Sequence, residues 1–422
     1  MKRGNAIRAA TTALLMLSFL PVFVLSIMPT AQSGNHAGYV MLTLVLNSNT
    51  LYPGNANVTG DVYPVAMTYN PSDGYLYVMA VSPNNISTTT FILVVDPINN
   101  TVIDRIPLDI WWSTEPFSVI YDPDNGYIYV GTNLTGILVV NPATKEVVAK
   151  IPIHDWIWSM VYDPDNGYIY ATASFSGTVL VVNPATNSIV ATINVGGAPT
   201  GITYDPKNGY IYVGGTSNDR VSVIDPRNNT VVANISVGWS PWDIAYDPSN
   251  GYIYATAYCC YVSVIDPSTG KVVANISVGG MPRWLTYDPS NGFMYVTVDR
   301  YDAPNYVIAI APNNTIVAKI QVGYWPWGIT YDPVSGYLYV ANMDSGTLSI
   351  IATPATSSTT SSSGVVKQAN PTPTNNLTAP AGGQNPSTGQ PMSTLTLVDT
   401  LALVGLIVVD LICVALVIRR KR

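Results

Sequence analysis

The sequence predicts an all-β fold, a seven-bladed β-propeller, and two observations carry this prediction. A segment reading roughly YDPxNGYIYV occurs seven times, about once every 40 to 50 residues, which is the length of one four-stranded propeller blade. Only 10% of the residues are charged, whereas the chain holds 28 tyrosines and 32 prolines, a composition that favours strands and turns over amphipathic helices. The seven copies begin at Tyr69, Tyr121, Tyr162, Tyr204, Tyr246, Tyr287 and Tyr331.

The copy that begins at Tyr246 shows why each repeat predicts one sheet of four strands. Residues 242–246 alternate between apolar and polar types, as an inner strand does, and 247–251 (DPSNG) form a turn. In that turn aspartate caps the backbone, proline fixes φ, and Asn-Gly accepts left-handed backbone. The pattern predicts three further strands at 252–257, 262–265 and 271–278, with a second turn at 266–270.

The two ends of the repeat array predict how the ring closes. The seventh copy has a third strand at 347–351, but the polar stretch 353–363 cannot supply a fourth. A propeller with a missing strand would expose an unpaired sheet edge. We therefore predict that the β-like run 39–46 completes the last blade as its outer strand, with 57–62 as the alternative segment.

The chain ends indicate a single-pass membrane protein with its propeller outside the cell. Residues 1–33 combine basic residues, an apolar run and a small-residue cleavage pattern, which predicts a signal peptide; an uncleaved signal anchor is the alternative. The apolar segment 394–418 and the basic residues 419–422 predict a transmembrane helix and a cytoplasmic tail. Between the propeller, 34–353, and the span, the Ser-, Thr-, Pro- and Asn-rich segment 354–393 predicts a stalk. Asp410 lies inside the span and either is tolerated there or bonds a partner helix.

An extracellular location gives two further features a chemical meaning. The chain contains candidate N-glycosylation triplets, Asn-x-Ser/Thr, at Asn57, Asn85, Asn99, Asn133, Asn228, Asn234, Asn275, Asn313 and Asn376. The adjacent Cys259 and Cys260 lie in a loop where extracellular thiols tend to oxidise. A vicinal disulfide, free thiols and intermolecular pairing remain open, because geometry disfavours a bond between neighbouring cysteines.

The repeats YDPDNGYIYV, YDPKNGYIYV and YDPSNGYIYA, with the segments VSVIDP and KVVANISVG that follow, resemble the YVTN family of β-propeller repeats. This resemblance covers residues 60–353 and implies a protein of the archaeal surface-layer or cell-surface type. It does not select a function, because similar propellers include lactonase-like and streptogramin-lyase-like enzymes as well as surface proteins. The copies depart from the pattern at Asn70, where the others have aspartate, and at Ile157, where the others have proline.

All nine tryptophans lie within ten residues upstream of a motif tyrosine, in the links that lead into the inner strands. These links share one face of a propeller with the loops between second and third strands, so the tryptophans are predicted to gather around one mouth of the central channel. Either they wedge between blades, or they form a platform for a glycan or a peptide. We take as candidate ligand-binding residues Trp112, Trp158, Trp239, Trp242, Trp284, Trp325, Trp327, Phe117 and Arg283, with Glu115, Asp155 and Asp243 as further polar groups.

The sequence gives little support to catalysis. His154, beside Asp155, is the one histidine predicted on the tryptophan face, and the acids Glu115, Asp155, Asp219, Asp299 and Asp302 are scattered. No catalytic residue, metal or cofactor is therefore predicted. The net charge of −7 argues against nucleic acid as a partner. We expect a non-enzymatic cell-surface protein that acts in adhesion, in a surface layer or in glycan or peptide binding. The alternatives are an extracellular lactonase- or lyase-type enzyme, and a propeller that serves lateral self-association.

Overall fold

The structure is a computed structural model that describes residues 39–46, 62–83, 88–108, 110, 116–258, 260–300 and 304–353. All of them belong to the first of two compact units, Met1–Ser358, and the second unit is Thr359–Arg422. The predicted signal peptide, stalk, transmembrane span and tail lie outside the described residues. So do the predicted features Asn57, Asn85, Asn376, Trp111, Trp112, Glu115, Cys259, Asp302 and Asp410. Within the described ranges there is no helix of sufficient length and hydropathy for a membrane crossing.

The described residues contain no helix and form 28 strands in seven four-stranded sheets, so the predicted seven-bladed propeller is confirmed. Blade 1 consists of β2 (Tyr63–Asn70), β3 (Tyr75–Pro83), β4 (Thr88–Asp96) and β5 (Thr101–Pro107). Blade 2 consists of β6 (Pro116–Tyr121), β7 (Ile128–Thr132), β8 (Ile137–Asn141) and β9 (Glu146–Ile151). Blade 3 consists of β10 (Ile157–Asp163), β11 (Tyr168–Ala173), β12 (Thr178–Asn183) and β13 (Ser188–Asn194).

The remaining blades repeat this order from inner to outer strand. Blade 4 consists of β14 (Pro199–Asp205), β15 (Tyr210–Gly215), β16 (Arg220–Asp225) and β17 (Thr230–Ser236). Blade 5 consists of β18 (Pro241–Asp247), β19 (Tyr252–Ala257), β20 (Tyr261–Asp266) and β21 (Lys271–Ser277). Blade 6 consists of β22 (Met281–Asp288), β23 (Phe293–Asp299), β24 (Tyr306–Ile310) and β25 (Ile316–Gln321). Blade 7 consists of β26 (Pro326–Asp332), β27 (Tyr337–Asn342), β28 (Thr347–Ala352) and β1 (Tyr39–Val45).

The ring closes through the N-terminal strand, as predicted from the run 39–46. Strand β1 pairs antiparallel with β28, from Tyr39 opposite Ala352 to Val45 opposite Thr347. The backbone N–H of Leu46 extends this pairing with a bond to the carbonyl of Gly346 at 2.8 Å. The β28 edge is thereby covered. The alternative segment 57–62 is described only at Val62, and it is not needed for closure.

The hydrophobic core lies between neighbouring blades rather than within one. One cluster, for example, joins Tyr254 and Val264 of blade 5 to Leu285, Val296 and Ile308 of blade 6. Each sheet has apolar side chains on both faces, so its inner three strands are nearly continuous buried runs. Burial of apolar surface stabilises such a ring by roughly 25 cal/mol per Å², and no blade can obtain this stabilisation alone.

The motif turn follows the predicted chemistry in all seven blades. The first acidic or amide side chain accepts a bond from the backbone N–H two residues later, at 2.8 to 3.0 Å. Asn70 accepts this bond from Ser72 as the aspartates do elsewhere, so this departure leaves the turn intact. The motif glycines have positive φ, 77° at Gly251, which explains why glycine occupies this position.

Buried tyrosines of the second strands bond blades 2, 3, 5 and 7 to the next blade, on the same side of the ring. The hydroxyl of Tyr254 accepts from Asn250 Nδ2 of its own turn at 2.9 Å and donates to Asn314 Oδ1 of blade 6 at 2.7 Å. Tyr339 of blade 7 donates to Asn100 Oδ1 of blade 1 at 2.7 Å and so bonds the last blade to the first. Burial raises the pKa of Tyr254 to about 12, so this hydroxyl remains protonated and able to donate at neutral pH.

Candidate functional site

The two flat sides of the propeller carry different loops. The motif face holds the turns between first and second strands and between third and fourth strands. The aromatic face holds the other connections, where Tyr258 of the β19–β20 loop donates its backbone N–H to the carbonyl of Trp239 in the link before β18. In the same way Met343 donates to Trp325 and Ser174 to Trp156. Six of the described tryptophans lie towards this face, at two depths, whereas Trp284 lines the cavity in the channel.

The outer level of this face is an indole rim formed by Trp156, Trp239 and Trp325. Their side chains are 36%, 52% and 37% exposed, and they precede the inner strands of blades 3, 5 and 7. Trp156 packs against Phe175 at a centroid distance of 6.2 Å, and Trp239 packs against Tyr258 at the same distance. The corresponding links of blades 4 and 6 carry glycine pairs, 196–197 and 279–280. From blade 3 to blade 7, links with an exposed indole therefore alternate with links that carry a glycine pair.

The inner level is a channel plug formed by Phe117, Trp158, Trp242, Arg283 and Trp327. Phe117 stacks on Trp158 at 4.1 Å, and Trp158 meets Trp242 edge-on at 5.3 Å. Trp242 in turn meets Trp327 edge-on at 6.1 Å, so rings from blades 2, 3, 5 and 7 meet across the axis. These residues were predicted as ligand contacts or as wedges between blades. The structure places them at the aromatic end of the central channel, the end where the tryptophans were predicted to gather.

A bulge in each inner strand explains why the residue after the first proline points into the channel. The pairing of β18 with β19 shifts between Pro241 and Ile244, and bulges re-aim the side chains that they contain. The bulge is held by Thr256, whose hydroxyl accepts from the backbone N–H of Asp243 at 2.8 Å. The same hydroxyl lies 3.2 Å from the carbonyl of Arg283 and so connects blade 5 to blade 6.

Arg283 occupies a cation–π site between two indoles of the plug. Its guanidinium carbon lies 5.3 Å from the ring centroids of both Trp242 and Trp327, in an arrangement that stabilises a largely desolvated cation. Its ion pair with Asp299 is long, 3.4 Å, and its Nε has no hydrogen-bond partner among the described residues. Arg283 therefore serves the plug primarily through ring contacts.

Beneath the plug the channel contains a cavity of about 700 Å³. Its lining runs down the inner strands from Ser159 and Asp243 to Pro164 and Pro248 of the motif turns, and it includes no plug residue. The cavity therefore lies on the motif-face side of the plug residues. Its volume lies within the range of small-molecule sites, and Trp284 contributes an indole to its wall with Nε1 unpartnered.

Asp243 is the one carboxylate among the described residues that line this cavity. It was predicted to serve the tryptophan mouth, but it lies below the plug and accepts a bond from the backbone N–H of Leu285 in blade 6 at 2.8 Å. Burial raises its pKa to about 7, while bonds from the Leu285 and Ile244 backbones oppose the shift. A carboxyl group with this pKa can exchange a proton near neutral pH.

The other predicted polar groups do not converge. Asp155 is buried and accepts bonds from the backbones of Trp156, Phe175 and Ser176, so it fixes the loops of the indole rim. Asp219 accepts from the backbone of Ser240 at 2.9 Å, and His154 is exposed. No group of three or more metal-ligating side chains occurs within the described ranges. Cys260 is an exposed free cysteine with a positive φ of 76°.

Two exposed aromatic residues of this face were missed by the sequence analysis. Phe175 is 63% exposed in the β11–β12 loop, and Tyr324 is 68% exposed beside Trp325. Neither residue is among the candidate ligand-binding residues chosen from the sequence. For Phe175 the available signal was a large aromatic side chain in the loop 174–177, which otherwise holds only serine and glycine.

A family model described as Lactonase, 7-bladed beta-propeller, matches residues 259–381. This match covers less than half of the chain. Among solved structures, the hydrazine synthase of Kuenenia stuttgartiensis is similar, with a TM-score of 0.59 and 19% sequence identity over 72% of this chain and 99% of that one. At this identity the likeness concerns the fold alone, and 1410 matching chains show how widely the fold is shared. No curated protein sequence matches the chain.

Proposed function

We propose that this chain is a membrane-anchored cell-surface protein that binds carbohydrate through the indole rim, without catalysis. The observation that carries the proposal is the exposure of Trp156, Trp239 and Trp325 on one face. Exposed aromatic patches mark interaction sites, and the flat apolar face of a sugar ring packs well on an indole. The other exposed large hydrophobic side chains of the described blades are mostly single aliphatic residues on motif turns and outer strands.

The rim has the rigidity that a binding surface needs. Each indole is backed by a second ring: Trp156 by Phe117 and Phe175, Trp239 by Tyr258, and Trp325 by Trp327 at 6.0 Å. Side chains held in this way lose little conformational entropy on binding.

The chain ends and the repeat type support a surface location. The apolar and basic residues at 394–422 provide an anchor, and 354–393 provides a stalk that holds the propeller away from the lipid. The repeats resemble the YVTN type, which is common in archaeal surface-layer and cell-surface proteins.

The test is binding of the full-length chain, in detergent, to an array of neutral and acidic oligosaccharides. We expect binding to neutral glycans that weakens at least about tenfold in the triple variant Trp156→Ala, Trp239→Ala, Trp325→Ala, because each lost ring contact contributes about 0.5 to 1.5 kcal/mol. The matched control replaces the exposed Ile98, Val148 and Val334, which lie away from this face, by alanine and should bind as the wild type does. Unchanged binding by the tryptophan variant, or binding only to a peptide array, would refute the proposal.

A second function, a lactonase-type hydrolase, is favoured by the family match over residues 259–381. Its reaction would take place in the channel cavity, where Asp243 could act as a base towards water. The measurement is proton release from simple aliphatic and aromatic lactones in a pH-stat. Turnover by the wild type that falls at least about 100-fold in Asp243→Asn would establish this function. Equal rates in both proteins would dismiss it.

A further inference from the structure

The exposed Asn-x-Ser/Thr triplets of the described blades occur at two structural positions. Asn99, Asn228 and Asn313 lie in the turns between third and fourth strands of blades 1, 4 and 6, on the motif face. Asn234 and Asn275 lie at equivalent places on the outer strands β17 and β21. Asn133 is the exception, because it lies on the aromatic face and is only 8% exposed.

In the turn triplets, the fold requires the second asparagine but not the first. Asn100, Asn229 and Asn314 have φ of 52°, 56° and 65°. Each accepts a bond from the buried tyrosine of the preceding blade, at 2.7, 3.2 and 2.7 Å. The first position needs no asparagine, since the equivalent turns of blades 2, 3 and 5 place Thr144, Thr186 and Thr269 there.

At four of the five exposed triplets, the amide nitrogen of the first asparagine has no bond to another described residue. Asn228 Oδ1 accepts from the Thr230 hydroxyl at 2.6 Å, and Asn313 Oδ1 accepts from the Thr315 hydroxyl at the same distance. On the outer strands, Asn234 and Asn275 accept from serine hydroxyls of the neighbouring strand at 2.8 and 2.9 Å. The oxygen is thus held towards the protein while Nδ2 has no bond to another described residue. Asn99 differs, because its Nδ2 donates to Asp96 at 2.7 Å.

We infer that Asn228, Asn234, Asn275 and Asn313 carry N-linked oligosaccharides, that Asn99 is modified to a lesser degree, and that Asn133 is not modified. In the reaction, Nδ2 forms a bond to the anomeric carbon of a sugar, the phosphate of a lipid-linked sugar donor leaves with the bonding electron pair, and the amide loses one proton. The modified positions form a glycan belt around the outer wall and the motif face. The belt leaves the aromatic face uncovered and opposes side-by-side packing of propellers.

The test maps glycopeptides by mass spectrometry on the full chain purified from its native membranes. We expect sugar on the four asparagines, partial occupancy at Asn99 and bare Asn133. Thr230→Ala should abolish modification at Asn228, whereas Thr230→Ser should retain it, because the triplet persists. Asn229→Gln also keeps the triplet, so Asn228 should stay modified although the Tyr170 bond is lost.

Bare asparagines at all four positions, or sugar on Asn133, would overturn the inference. The glycan-array experiment concerns the indole rim, whereas the glycopeptide map concerns the outer wall. If the protein binds glycans but its outer wall carries no sugar, the glycan belt is refuted and the proposed function stands. Conversely, a modified wall without any binding to glycans would refute the proposed function alone.

Discussion

The motif face and the aromatic face are built from the same seven repeats, yet they differ in how closely the repeats agree. On the motif face, the same turn bond forms in every blade, and the buried tyrosines of four blades bond equivalent positions of the neighbouring blade. On the aromatic face, the position after the first proline holds valine, phenylalanine, threonine, arginine or tryptophan, depending on the blade. Uniform contacts suit a face whose task is to hold the ring together.

The difference teaches where to look for function in a repeat protein. A residue that is identical in all copies serves what all copies share, namely the turn and the contact between blades. A residue that differs between copies breaks the sevenfold symmetry, and a ligand of low symmetry can only be recognised by such residues. The indole rim and the channel plug satisfy this condition, and the motif acids do not.

The aromatic face has two levels, the channel plug and the indole rim, and the strongest test of their difference compares Trp327→Ala with Trp325→Ala. Trp327 is 8% exposed and fills the plug, so its removal leaves a cavity and should lower the free energy of unfolding by about 3 to 5 kcal/mol. Trp325→Ala should cost under about 1 kcal/mol, because its ring is already partly in water. Guanidinium unfolding of both variants measures this. Equal losses of unfolding free energy would mean that the plug and the rim do not differ in how they stabilise the fold.

A second test concerns the pH dependence of stability at Asp243, where the channel meets the plug. Its folded-state pKa is raised from 3.8 to about 7, so the folded protein binds the proton more tightly than the unfolded chain does. Stability contributed by this group is therefore present at low pH and is lost between about pH 4 and 7, by an amount on the order of 4 kcal/mol.

The matched variant for this test is Asp243→Asn, which cannot ionise. We expect the unfolding free energy of the wild type, relative to the variant, to fall as pH rises from 5 to 8. A difference that does not change with pH would show that the carboxyl has an ordinary pKa.

The smallest loss of stability is expected on the motif face, where a variant in blade 4 serves as the control for the same variant in blade 5. Tyr254→Phe removes the hydroxyl that bonds both Asn250 and Asn314, and should cost about 1 to 3 kcal/mol. In blade 4, Tyr212 has its bond from Asn208, but the next blade presents Gly270 where blades 1, 3, 4 and 6 present asparagine. Tyr212→Phe should therefore cost less than Tyr254→Phe. The reverse order, measured by urea unfolding, would show that the bond between blades does not stabilise the ring.

The fold could be predicted from the sequence because its determinants are local and repeated seven times. The DPxNG turns fix the hairpins, and their spacing fixes the blade length. The closing strand was predictable because the last copy lacks a fourth strand and the run 39–46 has no other partner in the pattern. These arguments depend on turn chemistry and on the need to pair every sheet edge.

The candidate site was predictable only in part. The spacing of residues from the motif tyrosine predicts the face on which a side chain lies, but not whether it is exposed there or fills the channel. Proximity to a motif tyrosine placed Trp239 and Trp242 on one face, but the bulge at Pro241–Ile244 decides which of them is exposed and which fills the channel. Asp243 was predicted at the mouth for the same reason, and the bulge turns it towards blade 6 instead. The rim residue Phe175 lies outside the repeated pattern, so the repeats could not reveal it.

The pairing of β1 with β28 sets the order in which the molecule can be completed. The partners Tyr39 and Ala352 are more than 300 residues apart, so the earliest strand to be synthesised must wait for the last before it acquires its neighbours. During synthesis, six blades can assemble while one edge stays open to other chains. Deletion of residues 39–45 would leave that sheet edge open to other chains permanently.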